Sequence, residues 1–433
     1  MMSRVLFPAP PLGIALLAGS LRAAGHRVWV YDLVHTPLRL QKLLDLLKEQ
    51  DVEVVAYSIV GPSFFWVQSF AEKLRNCIPQ VLQVAGNVVP SEYPQWVFSQ
   101  IPSIDIIVRG EGEVALIDAL NGGTGGGAVL RRGDSIQPGL VHQLADLDGL
   151  PRPAWDLMNL QRYRSSPQLL FGGRAIGPLL QSRGCPWSCA YCAQNFAWDK
   201  VRFRSIESIV EEMHWIYSDF GVSDFGFYDS IFPLKEEFGE ALLTELGKRS
   251  LLGKIRFGLE SRVDMIWPST FQALRRAGLH FVMLGIESAG NGPLRRAGKL
   301  TREYPVETAV ATLKKLGVRA YGLFMIGFPG ETDEDRIRTR ELLLKLPLDM
   351  ASIGIYSVYA GSPDARAQMA GDDPSRFLTS NFYFDHKRKE VAALQQQMLR
   401  DFFLRPKIIY QTLANQNLSL SDLIRGGLAL LRG

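Results

Sequence analysis

Three of the chain's four cysteines fall within eight residues, in the run R-G-C-P-W-S-C-A-Y-C that holds Cys185, Cys189 and Cys192. Spaced four and then three apart, their thiols can close around one metal centre from a single short loop. Thiolates favour soft metals, so the loop suits zinc or iron in an iron–sulfur cluster. A structural zinc ion needs a fourth Cys or His, commonly from a second nearby pair. Cys77 lies in an amphipathic helical stretch without a partner cysteine. The six histidines (His26, His35, His142, His214, His280, His386) form no C-x-x-H or H-x-x-x-H pair. A disulfide framework leaves a cysteine over, and the start of the chain lacks the pattern of a secretory signal. The cluster is the preferred reading and zinc the alternative. Three thiolates on a four-iron cubane leave one iron open to a small molecule.

The elements around this loop alternate regularly. Apolar runs at 176–180, 225–228, 255–259, 281–286, 320–326 and 351–358 predict six parallel strands. Helical spacing between them lies near 206–219, 235–248, 268–277, 305–316 and 333–346. Such βα units predict a partial TIM-type (β/α)6 barrel with chemistry at the strand C-termini, and the cysteine loop directly follows the first strand. Upstream, strands are expected at 5–7, 27–31, 52–58, 81–86 and 103–108, with helices at 12–24, 38–49 and 65–76. This alternation predicts an α/β, flavodoxin- or Rossmann-like doubly wound sheet that binds ligands beyond its strand ends. No G-x-G-x-x-G follows its first strand, which argues against a dinucleotide site. The expected divisions are an N-terminal domain (1–125), a linker (126–168), the barrel (169–370) and a helical extension (371–433). N-G-G-T-G-G-G, within 121–127, lacks the Lys-Ser/Thr of a phosphate loop and reads as a hairpin or tether.

Composition is that of a globular enzyme, with 47% hydrophobic and 21% charged residues. A net charge of +4 gives no footprint for nucleic acid. The apolar N-terminal stretch is too short and interrupted for a membrane span, and a reducing cytoplasm is the expected location. Residues 376–433 carry nine Lys or Arg against four Asp or Glu. The basic, apolar segments 398–410 and 419–432 are read as capping the barrel, with peripheral membrane contact as the alternative.

Tyr191 completes a C-x-x-x-C-x-aromatic-C pattern that resembles the radical S-adenosylmethionine (SAM) superfamily. That resemblance, which spans about residues 170–365, implies a [4Fe–4S] cluster held by Cys185, Cys189 and Cys192, SAM on its open iron, and a flavodoxin- or ferredoxin-type electron donor. It also implies SAM contacts at successive strand ends. Asp229 in F-Y-D-S is expected to accept a hydrogen bond, and Arg262 in L-E-S-R-V-D to bind the SAM carboxylate. Glu287 and Ser288 in L-G-I-E-S are expected near the ribose or amino group, and Gly327 in G-L-F-M-I-G-F-P-G beside the adenine. Residues 1–120, with P-P-L-G, small-residue loops and V-R-G-E-G-E, resemble the cobalamin-binding domain that precedes many radical SAM domains. The cobalt-ligating D-x-H-x-x-G is absent, and His35 stands in a non-matching D-x-x-H. Cobalamin is thus expected with its lower axial ligand unassigned; a flavodoxin-like domain without a cofactor is the alternative. The implied activity is methylation of an unactivated carbon of a small molecule. Oxidative cyclisation or rearrangement, and a non-catalytic metal- or corrinoid-binding protein, are the rivals.

Overall fold

Short runs rich in Val, Ile and Phe, separated by amphipathic helices, build two separate sheets. The computed structural model describes residues 9–33, 37–123, 127–132, 135–137, 139–163, 172, 175–194, 198, 200–299, 306–368, 373–378 and 388–415. In the first sheet β1 (Val54–Ser58), β2 (Leu82–Gly86) and β3 (Ile106–Val108) run parallel. An antiparallel hairpin, β4 (Ala128–Arg132) and β5 (Ser135–Gln137), extends this sheet beyond β3. The start of the expected linker therefore belongs to the first sheet.

The strand expected at 5–7 lies outside the described residues. Among the described residues the segment 27–31 pairs in no strand, and side chains join it to Gln50. Arg27 donates to the Gln50 carbonyl (3.1 Å) and the Tyr31 hydroxyl to Gln50 Oε1 (2.9 Å).

All six barrel strands form, every pair parallel: β6 (Gly177–Leu179), β9 (Asp224–Phe227), β10 (Arg256–Arg262), β11 (Leu279–Glu287), β12 (Arg319–Ile326) and β13 (Met350–Ile355). Between β6 and β9 a two-stranded antiparallel ribbon intervenes, β7 (Ser182–Arg183) with β8 (Arg202–Phe203). Alternate strand residues such as Leu259, Val282, Leu284, Ala320 and Ile353 are fully buried in the core shared with the outer helices. The other face is half-buried, with Glu260 beside Met283, Met283 beside Tyr321 and Tyr321 beside Met350 in register. That face is the one turned away from the core shared with the outer helices.

The helices start and stop where their sequence dictates. Ser205 Oγ caps helix Ile206–Phe220 by accepting from Ser208 N (3.2 Å), and Gly221 ends it at φ 65°. Helix Arg388–Phe403 packs on β13, with Met398 and Phe402 in the barrel core and Gln395 Nε2 donating to the Ile353 carbonyl (2.5 Å). This first part of the extension covers the barrel edge; the segment 419–432 lies outside the described residues. Among the described residues no helix is long and apolar enough to cross a membrane.

Candidate functional site: a three-cysteine loop at the barrel mouth

Among the described residues Cys185, Cys189 and Cys192 form no disulfide; they are half-buried, on a loop whose two ends are clamped by the β7–β8 ribbon. Gly184 turns the chain into it at φ 97°, and a Cβ there would lie 2.8 Å from the Lys200 carbonyl oxygen. Only glycine suits that turn. Within the loop, Cys192 N donates to the Cys189 carbonyl (3.0 Å), and Gln194 N approaches Cys192 Sγ at 3.5 Å. Cys77 is exposed at the end of helix Phe64–Cys77 in the other sheet's layer.

The loop is held from several strand ends at once. Ala190 N donates to the Ala297 carbonyl (2.9 Å), and Asp364 N to the Ala190 carbonyl (3.0 Å). Tyr191 packs edge-on against Phe328 (6.4 Å) and Tyr356 (6.1 Å) beyond β12 and β13. Its hydroxyl bonds to Glu287, and burial together with that carboxylate pushes the phenol far above its ordinary value. Trp187 lies under the Arg262 guanidinium, 4.4 Å from ring centroid to carbon.

Each residue expected to contact SAM has protein partners. Asp229 is buried and accepts from Gln181 N (3.0 Å), Ser182 N (2.5 Å) and Ser182 Oγ (2.6 Å), fixing the backbone just before the loop. Burial outweighs those bonds and raises its carboxyl to about 6. Arg262 grips Asp264 with two bonds (2.9 and 3.0 Å) while it stacks on Trp187. Ser288 Oγ lies 3.1 Å from Thr339 Oγ1 and accepts from Gly290 N (3.0 Å), ordering the turn after β11. Gly327, at φ 82°, donates its N–H to Glu331 Oε2 (2.6 Å).

Glu287 is the most strained member, a non-glycine residue at φ 62° where the β11–β12 register shifts. Such a conformation costs about 1–3 kcal/mol and persists only where neighbours impose it. Here the neighbour is Lys299, whose Nζ lies 2.5 Å from Glu287 Oε1 with both side chains buried. A Cβ on Gly285 would sit 2.5 Å from that Nζ, so the glycine makes room for the lysine. Glu260 faces the same group: burial pushes its carboxyl up to about 7, Lys299 pulls it down and Glu287 raises it again. Lys299 and Glu260 had no sequence signal. One sits in A-G-K-L beyond a short helix, the other beside the motif residue Arg262.

The donor set fits a cluster. Burial raises the Cys185 thiol and lifts Cys192 to about 11, and neighbouring cysteines add to both effects. The three sulfurs thus feel one another across one loop. At the carboxyl ends of β1 and β2, exposed Ser58 and Asn87 bond each other (2.9 Å), and a Cβ on Gly86 would meet only the Val108 oxygen at 3.6 Å. Exposed Val60, Phe65 and Trp66 lie just beyond. This open, partly apolar shelf fits a corrin ring; His35 lies outside the described residues.

The family description of the radical SAM superfamily matches residues 179–343, and that of the B12 binding domain matches residues 1–120. The chain is a radical SAM enzyme with a B12-binding domain. These domains imply a [4Fe–4S] cluster, SAM and cobalamin. Over 422 residues this radical SAM enzyme is 27% identical to an uncharacterized methyltransferase of Pyrococcus horikoshii, covering 92% of this chain and 89% of that one. It is 25% identical to the anaerobic magnesium-protoporphyrin IX monomethyl ester cyclase of Cereibacter sphaeroides, over 85% of this chain and 62% of that one. Its fold is also that of the cobalamin-dependent SAM radical enzyme OxsB, at TM-score 0.75 and 17% identity, over 93% of this chain and 65% of that one.

Proposed function

We propose that this radical SAM enzyme methylates an unactivated carbon of a small molecule held between the barrel mouth and the B12-binding domain. The observation that carries this reading is the three-thiol loop, which offers three ligands from one segment and stands at the strand ends of the barrel. When bound, the reduced cluster and SAM supply a 5′-deoxyadenosyl radical, and cobalamin supplies the methyl group. The chain's own residues bind, orient and exclude water. Cys185, Cys189 and Cys192 hold iron, while Tyr191 and Trp187 fix the loop against strand ends. Arg262, Glu287, Ser288 and Gly327 shape the SAM cradle, and Asp229 orders the backbone leading into it. Lys299, paired with Glu287 at 2.5 Å, holds that carboxylate in place there. The half-buried barrel face, with Met283, Tyr321 and Met350 near Glu260, supplies a mainly apolar chamber.

Electrons are proposed to come from a flavodoxin- or ferredoxin-type donor. The exposed Leu404, Ile409, Tyr410 and Leu413 of the tail are proposed for peripheral membrane contact. Likeness to the cyclase supports a second reading, oxidative ring closure with the same cofactors.

Anaerobic reconstitution with iron and sulfide, then dithionite, SAM and candidate substrates, separates the readings. Methylation yields 5′-deoxyadenosine and S-adenosylhomocysteine in equal amounts, and cyclisation yields the first without matching amounts of the second. A protein that takes up iron but yields neither would be a binding protein. Cys189→Ala should lose the cluster; a full iron complement in that variant would sink the ligand assignment.

A further inference from the structure

The R-G-E-G-E loop after β3 does something the cofactor chemistry does not call for. Gly110, at φ 81°, bridges to His142, and a Cβ there would lie 2.3 Å from the His142 oxygen. A Cβ on Gly112 would meet Leu17 at 2.8 Å. The backbone approach at Gly110 fixes the loop from which Glu111 and Glu113 reach the base of the cysteine loop. Glu111 accepts a two-pronged bond from Arg202 (2.7 Å to each oxygen), a third from Trp198 Nε1 (3.0 Å), another from Leu144 N, and lies 3.3 Å from Arg183. Glu113 meets Arg183 at 2.5 Å. All four charged side chains are nearly out of solvent, from 3% exposed for Glu111 to 12% for Arg202. Arg183 and Arg202 are register partners in the β7–β8 ribbon, so the two carboxylates grip both strands that frame Cys185–Cys192.

Two features make this more than domain glue. The grip falls on Arg183, which stands two positions before the first cysteine, so any shift of the first sheet moves the loop directly. The carboxylates also leave from the carboxyl end of β3, the edge at which a parallel sheet meets its ligand.

We propose that Glu111 and Glu113 are positioning residues for the cluster loop. Acting through Arg183 and Arg202, they set where the three thiols stand against the strand ends. The B12-binding domain thereby governs how SAM sits on the cluster, in addition to its own ligand. This inference rests on the cluster reading given above.

The test uses the full-length protein, reconstituted anaerobically with iron and sulfide, as wild type, Glu111→Gln and Glu113→Gln. Arg22→Gln, in an exposed ion pair with Asp156, is the control. Two quantities are read: SAM affinity by equilibrium dialysis, and the change that SAM causes in the electron paramagnetic resonance spectrum of the dithionite-reduced cluster. Both glutamine variants should keep iron yet bind SAM about tenfold more weakly, a usual size for coupling between sites. Their SAM-induced spectral change should shrink, with Arg22→Gln matching wild type. Should the glutamine variants fail to fold, Arg202→Lys keeps the charge and loses the two-pronged bond, and it should move both readouts in the same direction. Wild-type affinity and spectrum in every folded variant would overturn the proposal while leaving the cluster reading intact. A wild type that takes up no iron would overturn both.

Discussion

Lys299 shows what a single buried charge does here. It is the cation opposite two acids, Glu287 at 2.5 Å and Glu260 beyond, in a place where water cannot stand in for it. Removing one member of a buried pair strands the other, at about 3–5 kcal/mol. Lys299→Met should therefore destabilise the protein by that amount in urea unfolding, and a loss below about 1 kcal/mol would show that the pair is solvated. Glu260 gives a pH signature. Its folded value near 7 lies above the unfolded value of 4.5, so the folded state keeps a proton that the unfolded chain releases. Wild-type stability should thus fall, relative to Glu260→Gln, as pH rises from about 5 to about 8, by up to about 3 kcal/mol. A gap that stays constant across that range would mean the carboxyl titrates normally. Neither residue was legible in advance, because each matters through a partner distant in sequence: Lys299 is 12 positions from Glu287 and on a different element.

At the level of elements, the sequence was far more readable. Six barrel strands and the cysteine loop after the first of them were all legible, because period and apolar runs are local signals. The β7–β8 ribbon was not. Ser182–Arg183 and Arg202–Phe203 are two-residue strands, too short for any pattern, and they exist because Asp229 and the two arginines hold them. The motif residues Asp229, Arg262 and Ser288 were legible as residues, whereas their present hydrogen-bond partners were not. Gly184 tests the ribbon. Gly184→Ala asks an L-residue to adopt φ 97° with its Cβ against the Lys200 oxygen. It should cost about 1–3 kcal/mol and lower iron incorporation on reconstitution. Unchanged iron content and melting temperature would show that the loop tolerates a different entry.

For the whole molecule, the question is whether two sheets mean two independent folding units. The packing says otherwise. Leu12, Ala15 and Leu16, on helix Leu12–Ala23, belong to the same buried cluster as Val210, Phe227 and Leu259 of the barrel. The connector locks that helix in place: Ala154 N donates to the Ala15 carbonyl (2.9 Å), and a Cβ on Gly19 would lie 2.1 Å from the Arg152 oxygen. From the other side, Phe328 and Tyr356 of the barrel and Phe377 of the extension are buried together with Tyr57 of the first sheet and Phe64 of the helix that follows β1. A core that crosses the domain boundary twice couples the two units, because neither can open without exposing apolar surface of the other. Gly19→Val should therefore force the connector off the helix and lower the melting temperature of the whole chain in one transition, with near-UV circular dichroism of both units lost together. Two resolved transitions, only one of them shifted, would show that the B12-binding domain folds and melts on its own. In that case the Glu111 network would have to hold the cysteine loop across a boundary that opens freely, which its near-complete burial argues against.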